Sequence, residues 1–208
     1  MDKFTAETFQ EISNISSETL EKFVIYAALL KKWQQKINLV SHSTLPDLWG
    51  RHFYDSAQLK NYLPQLSTDQ KVIDMGSGAG FPGLVLAIIG VQNIHLIESD
   101  LRKTLFLKEV ARACALDVTI INQRVEKVDL ENVGLITARA LKSLDQLLEY
   151  AVPFINKDKT TTCLYLKGAK TAEEVVEARN RWAFDLESFC SETDKNAQII
   201  KITNVKKL

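Results

Sequence analysis

Residues 74–83, with the sequence DMGSGAGFPG, carry the strongest chemical signal in the chain. Three glycines alternate after an aspartate, directly behind a short apolar run that is typical of a strand. Glycine lets the backbone turn tightly and approach a ligand closely. Ligands of open α/β sheets bind at the carboxyl ends of the parallel strands. The segment therefore predicts a ligand-binding turn between a strand and a helix.

Three interpretations of this turn remain open from its residues. Gly78, Gly80 and Gly83 match the GxGxxG spacing of dinucleotide sites, but Gly76 already occupies the strand end where that fingerprint should begin. The acidic-x-Gly-x-Gly-x-Gly pattern that starts at Asp74 instead fits S-adenosylmethionine, because the ligand's cationic groups would favour a nearby carboxylate. A tight turn without a ligand is the third interpretation, although its glycines would cost backbone entropy without gain. The acidic pattern favours S-adenosylmethionine.

Glu98 supports this interpretation. It ends the apolar run 95–97 and follows Gly78 by 20 residues, the spacing expected of an acid that binds a ribose. A carboxylate at the end of the second strand could accept hydrogen bonds from both ribose hydroxyls. Glu98 and the glycine turn together predict a nucleoside site.

Two later segments should reach the same edge of the sheet. Val125 and Glu126 follow the third strand, where Val125 could pack on an adenine and Glu126 could accept from its exocyclic amine; a solvated helix start is the alternative. Arg139 ends the fourth strand and could bind a carboxylate, a phosphate or a base. An ion pair between Arg139 and either Glu98 or Glu126 is the alternative.

The elements that must position these residues follow from apolar periodicity. The first sixty or so residues look helical, with a helix over 16–37, a short element from Pro46 and a helix over about 48–63. Strands are then predicted over 71–74, 93–97, 118–122, 133–138 and 161–166, alternating with helices over 82–89, 100–115, 143–152 and 172–181. The last two strands, 184–189 and 198–202, lack a helix between them and should form a β-hairpin.

This order predicts an α/β fold: a doubly wound, Rossmann-like parallel sheet with an N-terminal helical extension and a C-terminal β-hairpin. We expect residues 1–64 to form the helical extension, packed on the core, and residues 65–208 to form the ligand-binding core. The 208 residues fit one such unit.

Composition excludes several other classes. Hydrophobic residues make up 46% and charged residues 25%, which is typical of soluble proteins. The longest apolar stretch, 81–91, is too short to cross a membrane, and no targeting signal is visible, so we expect a cytoplasmic protein. Cys114, Cys163 and Cys190 lie far apart, which argues against a zinc site and predicts buried thiols.

Charge gives less guidance. The chain has 26 basic and 26 acidic residues, whereas nucleic-acid-binding proteins usually carry a basic face. Residues 31–60 nevertheless hold five basic and two acidic side chains, so basic character could be local. The alternative for this segment is an ordinary solvated helix face.

From about residue 32 onward, the motifs resemble the RsmG (GidB) family of bacterial 16S rRNA guanine-N7 methyltransferases. The resemblance is carried by Asn38-Leu39, RHFYDS at 51–56, DMGSGAGFPG at 74–83, Arg139-Ala140 and LKG at 166–168. It implies a class I methyltransferase fold. It also implies a guanine acceptor in the 16S rRNA loop near the decoding centre, with 16S rRNA or the 30S subunit as partner.

The resemblance assigns S-adenosylmethionine as the cofactor and places its contacts. These are Gly76, Phe81, Val125, Glu126 and Arg139, and Glu98 matches the family's acidic position at the end of the second strand. Gly78, which belongs to the glycine pattern, completes our set of cofactor contacts. Other members often have aspartate where this chain has Glu98. We expect the RNA backbone to be bound by Arg51, His52 and Lys167.

Guanine N7 is an unprotonated acceptor on the major-groove edge of the base, so it can attack a sulfonium methyl group directly. No proton leaves N7, and we therefore expect no catalytic general base and no metal. Alignment of the reacting atoms can supply about 7–11 kcal/mol of the barrier. Methylation of another acceptor, and an RNA-binding module without turnover, remain alternatives. We expect a monomer.

Overall fold

A computed structural model of the protein describes residues 4–155 and 160–208. The chain begins with α1 (Ala6–Ser13) and α2 (Ser17–Gln34). A short 3₁₀ turn (Leu45–Asp47) then leads into a continuous helical run that we call α3, with π turns over Trp49–Tyr54, α geometry over Asp55–Ala57 and 3₁₀ turns over Gln58–Tyr62. The predicted helical character is confirmed for the described residues up to Tyr62, whereas residues 1–3 lie outside the described part of the chain.

Strands and helices alternate through the rest of the chain. The strands are β1 (Lys71–Met75), β2 (Ile94–Ile97), β3 (Val118–Ile121), β4 (Val133–Arg139), β5 (Thr162–Lys167), β6 (Trp182–Cys190) and β7 (Gln198–Lys207). The helices are α4 (Gly83–Ile88), α5 (Leu101–Ala113), α6 (Leu144–Ile155) and α7 (Thr171–Ala178). Most lie within three residues of their predicted bounds, but β7 runs five residues beyond the predicted 198–202.

The strands form one sheet in the order β3-β2-β1-β4-β5-β7-β6. Neighbouring strands among β1 to β5 pair in parallel, whereas β7 pairs antiparallel with both β5 and β6. The predicted doubly wound sheet and C-terminal hairpin are therefore confirmed. The strand order reverses next to β1, which places the carboxyl ends of β1, β2 and β4 around the position expected of a ligand.

The end of α2 shows how local chemistry shapes the site. Ser16 caps its start by accepting from the backbone N–H of Thr19 over 3.1 Å. The helix stops at Gln34, three residues earlier than predicted, because the side-chain oxygen of Gln34 accepts from the backbone N–H groups of Leu39 and Val40, each over 3.0 Å. These bonds turn the chain back and fix the position of Leu39.

The N-terminal helices and the sheet share one apolar cluster. Phe23 and Tyr26 of α2 are fully buried with Phe53 of α3 and with Phe81, which follows β1. Tyr26 stacks on Phe81, with ring centroids 5.5 Å apart, and its hydroxyl donates to the backbone oxygen of Ala79 in the glycine turn. The other face of the sheet is covered by α6 and α7. The helices before β1 therefore support the ligand-binding turn directly.

One prediction about the cysteines is wrong. Cys114 and Cys163 are buried as expected, but Cys190 is exposed. Cys190 ends β6, which is an edge strand, and several side chains of this strand face solvent. Across 4–155 and 160–208, the helices are all too short or too polar to cross a membrane.

Candidate active site

The turn between β1 and α4 needs glycine at its alternating positions. Gly76, Gly78 and Gly80 have φ values of 66°, 56° and 92°, in the left-handed region that other residues rarely adopt. Space is limiting as well, because a Cβ added at Gly76 would lie 2.5 Å from Cδ1 of Leu141. Gly76 and Gly78 also line the neighbouring cavity, so the backbone of this turn forms part of its wall.

Asp74 supports the turn from inside the protein. Its carboxylate is fully buried and accepts from the backbone N–H of Gly83 over 3.2 Å and from the hydroxyl of Thr137 over 3.0 Å. Burial raises the pKa of Asp74 to about 6. The interpretation of Asp74 as a direct partner of a cationic ligand is therefore corrected: the buried carboxylate does not line the cavity and joins β1 to β4 and α4.

Glu98 is the carboxylate that the cavity presents to a ligand. It follows β2 with 8% of its surface exposed. One carboxylate oxygen accepts from the backbone N–H of Gly78 and the other from that of Asp100, both over 2.8 Å. Each oxygen keeps a free lone pair, since a carboxylate oxygen can accept two hydrogen bonds. Glu98 is thus fixed in place while it can still accept from two hydroxyls.

A cavity of about 410 Å³ opens at the carboxyl ends of β1, β2 and β4. Its size is within the range of small-molecule sites. All seven residues predicted to contact the cofactor line it: Gly76, Gly78, Phe81, Glu98, Val125, Glu126 and Arg139. The structure therefore brings together side chains from four separate segments, as the strand order requires.

The far end of the cavity is lined by the turn after β3. Val125 and Glu126 lie in a 3₁₀ turn, with Val125 buried and Glu126 exposed. Tyr150 of α6 lines the same end, and burial followed by the nearby Glu126 raises the pKa of its hydroxyl. Tyr150 was not identified from the sequence, because it lies on a helix whose polar positions carry no motif.

Arg139 lies between this cavity and the N-terminal helices. Its guanidinium donates to a carboxylate oxygen of Asp55 over 3.2 Å and to Nδ1 of His52 over 2.7 Å, and it lies 4.7 Å from the centre of the Phe81 ring. Burial lowers its pKa, which Asp55 partly offsets. The predicted alternative partners, Glu98 and Glu126, are not the ones found; the partner of Arg139 is Asp55.

A second cavity of about 420 Å³ adjoins the first. The two share Leu39, Arg139 and Ala140 in their walls. Arg51, His52 and Lys167, the three residues predicted to contact RNA, all line the second cavity. Residues from two separate sequence motifs, 51–56 and 166–168, therefore line one place in the fold.

The three side chains differ in their exposure to solvent and in their partners within the protein. Arg51 forms an ion pair with Asp194 over 2.8 Å and keeps 41% of its side chain exposed. His52 is buried, and burial together with Arg139 lowers its pKa to about 3, so its ring is neutral. Lys167 has only 8% of its side chain exposed and pairs with Glu174 over 2.5 Å.

Comparison with known proteins decides the family. The model of a family described as rRNA small subunit methyltransferase G matches residues 19–200. The chain belongs to this family. A ribosomal RNA small subunit methyltransferase G from Rhodospirillum centenum is 45% identical over 97% of this chain and 92% of its own length. One from Rickettsia prowazekii is 40% identical over 93% of this chain and 98% of its own.

Solved structures of lower identity agree on the fold. The ribosomal protein L11 methylase from Lactobacillus delbrueckii subsp. bulgaricus superposes with a TM-score of 0.56 at 12% identity, over 79% of each chain. The glycopeptide N-methyltransferase MtfA, complexed with S-adenosylmethionine, superposes with a TM-score of 0.57 at 10% identity, over 73% of this chain and 93% of its own.

Family membership confirms that the chain is an enzyme, a methyltransferase that uses S-adenosylmethionine. The cavity suits this cofactor on its own chemistry, because Glu98 offers two acceptors for a ribose and Val125 an apolar surface for a base. Within 4–155 and 160–208, no cluster of histidine, cysteine and acidic side chains could hold a metal ion.

Proposed function

We propose that the chain methylates N7 of a guanine in 16S rRNA, with the cofactor in the first cavity and the guanine in the second. The observation that carries this proposal is the shared wall, where Leu39, Arg139 and Ala140 border both cavities. A methyl donor in one cavity and an acceptor in the other would then meet beside Arg139. The relatives that share this family are named as ribosomal RNA small subunit methyltransferases.

In the first cavity, we assign each of the seven predicted contact residues a role in holding the cofactor. Glu98 accepts from the ribose hydroxyls, and Val125 and Glu126 receive the adenine. The glycine turn, with Gly76 and Gly78, provides backbone against which the cofactor lies. Phe81 and Arg139 border the end that faces the second cavity. When bound, S-adenosylmethionine supplies an electrophilic methyl group on a sulfonium.

The chain's own contribution to the transfer is alignment. The N7 lone pair of guanine needs no deprotonation, so a site without a general base is sufficient. His52 is compatible with a site that has no general base, because burial lowers its pKa to about 3 and the ring is neutral. Arg139 is held by Asp55, His52 and the ring of Phe81, and it keeps the wall between the cavities rigid. Well-aligned reactants can gain about 7–11 kcal/mol in this way.

Contacts with RNA lie around the second cavity in this proposal. Base-paired RNA hides N7 in a deep, narrow groove, so the target guanine must be unpaired or splayed out of a loop. Arg51 is half-exposed at the cavity and is suited to bind a phosphate, whereas the buried His52 would contact the base. Lys167 lines the same cavity.

The remaining parts of the proposal concern organisation. Residues 1–64 act as a helical extension that completes the acceptor side, and residues 65–208 act as the cofactor-binding core. The protein works as a monomer in the cytoplasm, on 16S rRNA or on the 30S subunit. Sedimentation of the protein alone tests whether it is a monomer, because a dimer would have twice the mass of the chain.

Methylation of ribosomal RNA that lacks the modification tests the function directly. The protein is incubated with S-adenosylmethionine labelled in its methyl group and with either undermethylated 30S subunits or free 16S rRNA, and the labelled base is mapped. We expect label on N7 of one guanine. Glu98→Gln should reduce the incorporation, whereas Glu21→Gln, on the exposed surface of α2, should not. Label on protein, on another base or on neither substrate would contradict the proposal.

A further inference from the structure

The segment between β4 and α6, residues 140–143, forms one wall of the cofactor cavity. Ala140, Leu141 and Lys142 line the cavity, and Leu141 packs against the glycine turn at Gly76. Ala140 has a φ of 51°, in the left-handed region, which costs a residue with a side chain roughly 1–2 kcal/mol. A segment in such a conformation keeps its shape only when its surroundings hold it.

Lys167 provides one of the contacts that hold this segment. Its ammonium donates to the backbone oxygen of Lys142 over 2.8 Å and pairs with a carboxylate oxygen of Glu174 over 2.5 Å. Lys167 ends β5, the strand that pairs with β4, so it reaches the segment from a rigid neighbour. The Lys167 side chain is only 8% exposed and that of Glu174 is 21% exposed, whereas the Lys142 end of the contact is open to solvent.

Glu174 provides the second contact. The same carboxylate oxygen that pairs with Lys167 accepts from the backbone N–H of Leu144, the first residue of α6, over 2.7 Å. A carboxylate at the start of a helix is favoured by the helix dipole. Lys167 and Glu174 therefore hold the C-terminal end of the segment, at Lys142 and at Leu144, the residue that follows it.

We propose that Lys167 is a positioning residue for the cofactor: together with Glu174 it holds residues 140–143 against the cavity, so its loss weakens cofactor binding rather than RNA binding. The proposal rests on the proposed function, which places the cofactor in this cavity. Lys167 lines the second cavity, where RNA is proposed to bind, but its ammonium already has two partners, Lys142 and Glu174. A phosphate could bind it only by competing with them.

Two binding constants measured on Lys167→Met separate these roles. Methionine keeps the length of the side chain and removes the ammonium. Loss of charge-assisted hydrogen bonds around the wall should raise the Kd for S-adenosylmethionine about tenfold, by calorimetry. The Kd for 16S rRNA in the absence of cofactor should not change. In turnover, the KM for the cofactor should rise while kcat at saturating cofactor is retained, a split that general destabilisation would not produce.

Lys170→Met is the matched control, because Lys170 is exposed three residues away. It should leave both constants unchanged. Glu174→Gln should also raise the Kd for the cofactor, and this variant decides the matter if Lys167→Met does not fold. In the double variant, the rise should be smaller than the product of the two single rises, because both residues act through one contact.

Weaker RNA binding with an unchanged cofactor Kd in Lys167→Met would overturn the proposal and make Lys167 an RNA contact. A rise in the double variant equal to the product of the two single rises would also overturn it. If the wild-type protein does not bind S-adenosylmethionine, the proposed function fails and this proposal fails with it. If the wild type binds the cofactor and Lys167→Met binds it equally well, only the role of Lys167 fails.

Discussion

Nη2 of Arg139 donates a hydrogen bond to Nδ1 of His52 over 2.7 Å. A guanidinium can only donate, so Nδ1 carries no proton and the imidazole proton lies on Nε2. Nε2 then donates to the hydroxyl of Thr44 over 2.8 Å, and Thr44 donates to the backbone oxygen of Ser41 over 2.9 Å. The direction of this chain of hydrogen bonds is fixed from the wall between the cavities to the loop beyond.

The neutral state of His52 predicts a pH dependence of stability. Its pKa is about 3 in the folded protein against 6.5 for the free side chain. Between these values the unfolded chain takes up a proton that the folded chain does not, so the free energy of unfolding falls as pH falls below about 6.5. One such proton contributes at most about 1.4 kcal/mol per pH unit. Above pH 6.5 the contribution of His52 is constant.

His52→Asn tests this dependence, measured by denaturant unfolding at several pH values. The stability difference between the wild type and the variant should shrink as pH falls from about 6.5 towards 4, because the variant has no proton to take up. Asp74, with its raised pKa of about 6, has the opposite slope, but it is present in both proteins and cancels. A difference that is independent of pH would mean that His52 titrates normally.

Glu98 should control cofactor affinity. Glu98→Gln keeps the side-chain shape, but an amide nitrogen replaces one of the two oxygens that accept from Gly78 and Asp100. We expect the Kd for S-adenosylmethionine to rise about tenfold or more, measured by calorimetry. Glu21→Gln serves as the control. An equal Kd in the wild type and Glu98→Gln would remove Glu98 from the nucleoside site.

We expect glycine to be required at position 83 for the stability of the protein, because a side chain has no space there and not because the backbone conformation demands glycine. A Cβ at this position would lie 2.3 Å from Cδ2 of Leu96 and 2.7 Å from a carboxylate oxygen of Asp74. Gly83→Ala should therefore lower the free energy of unfolding by about 1–3 kcal/mol. Gly168→Ala is the control, because no heavy atom lies within 4 Å of its added Cβ. Equal stabilities of the two variants would show that α4 can move away from β2.

Arg51 should contribute to RNA binding and not to cofactor binding. Arg51→Ala removes a half-exposed cation at the second cavity and should weaken binding to 16S rRNA. The magnitude of the slope of log K against log salt should fall by about 0.7, as expected for the loss of one phosphate contact on a single strand. Lys60→Ala removes an exposed cation from α3 and serves as a control. If both variants bind RNA like the wild type, the RNA backbone does not reach Arg51.

The sequence predicts the cofactor cavity far better than the contacts behind it. The glycine turn, Glu98 and Val125 follow strands and Arg139 ends one, so topology alone brings them to one edge of the sheet. The pairing of Arg139 with Asp55 could not be predicted, because it joins segments 84 residues apart whose orientation depends on packing. The burial of individual polar side chains could not be predicted from the sequence either.

Two side chains illustrate this limit. Asp74 belongs to the motif, yet its carboxylate turns inward to Gly83 and Thr137. Lys167 belongs to another motif, yet its ammonium is committed to Glu174 on a helix that carries no motif. A motif thus identifies which residues lie together at one site, whereas packing determines which contacts each side chain forms.

The crystal structure of the protein with S-adenosylhomocysteine is the most direct test of the central claim. We predict that the nucleoside occupies the first cavity, with both ribose hydroxyls hydrogen-bonded to Glu98, the adenine against Val125, and the sulfur at the end that opens past Arg139 to the second cavity. A nucleoside bound outside this cavity, or one whose sulfur lies at the end away from Arg139, would contradict the account.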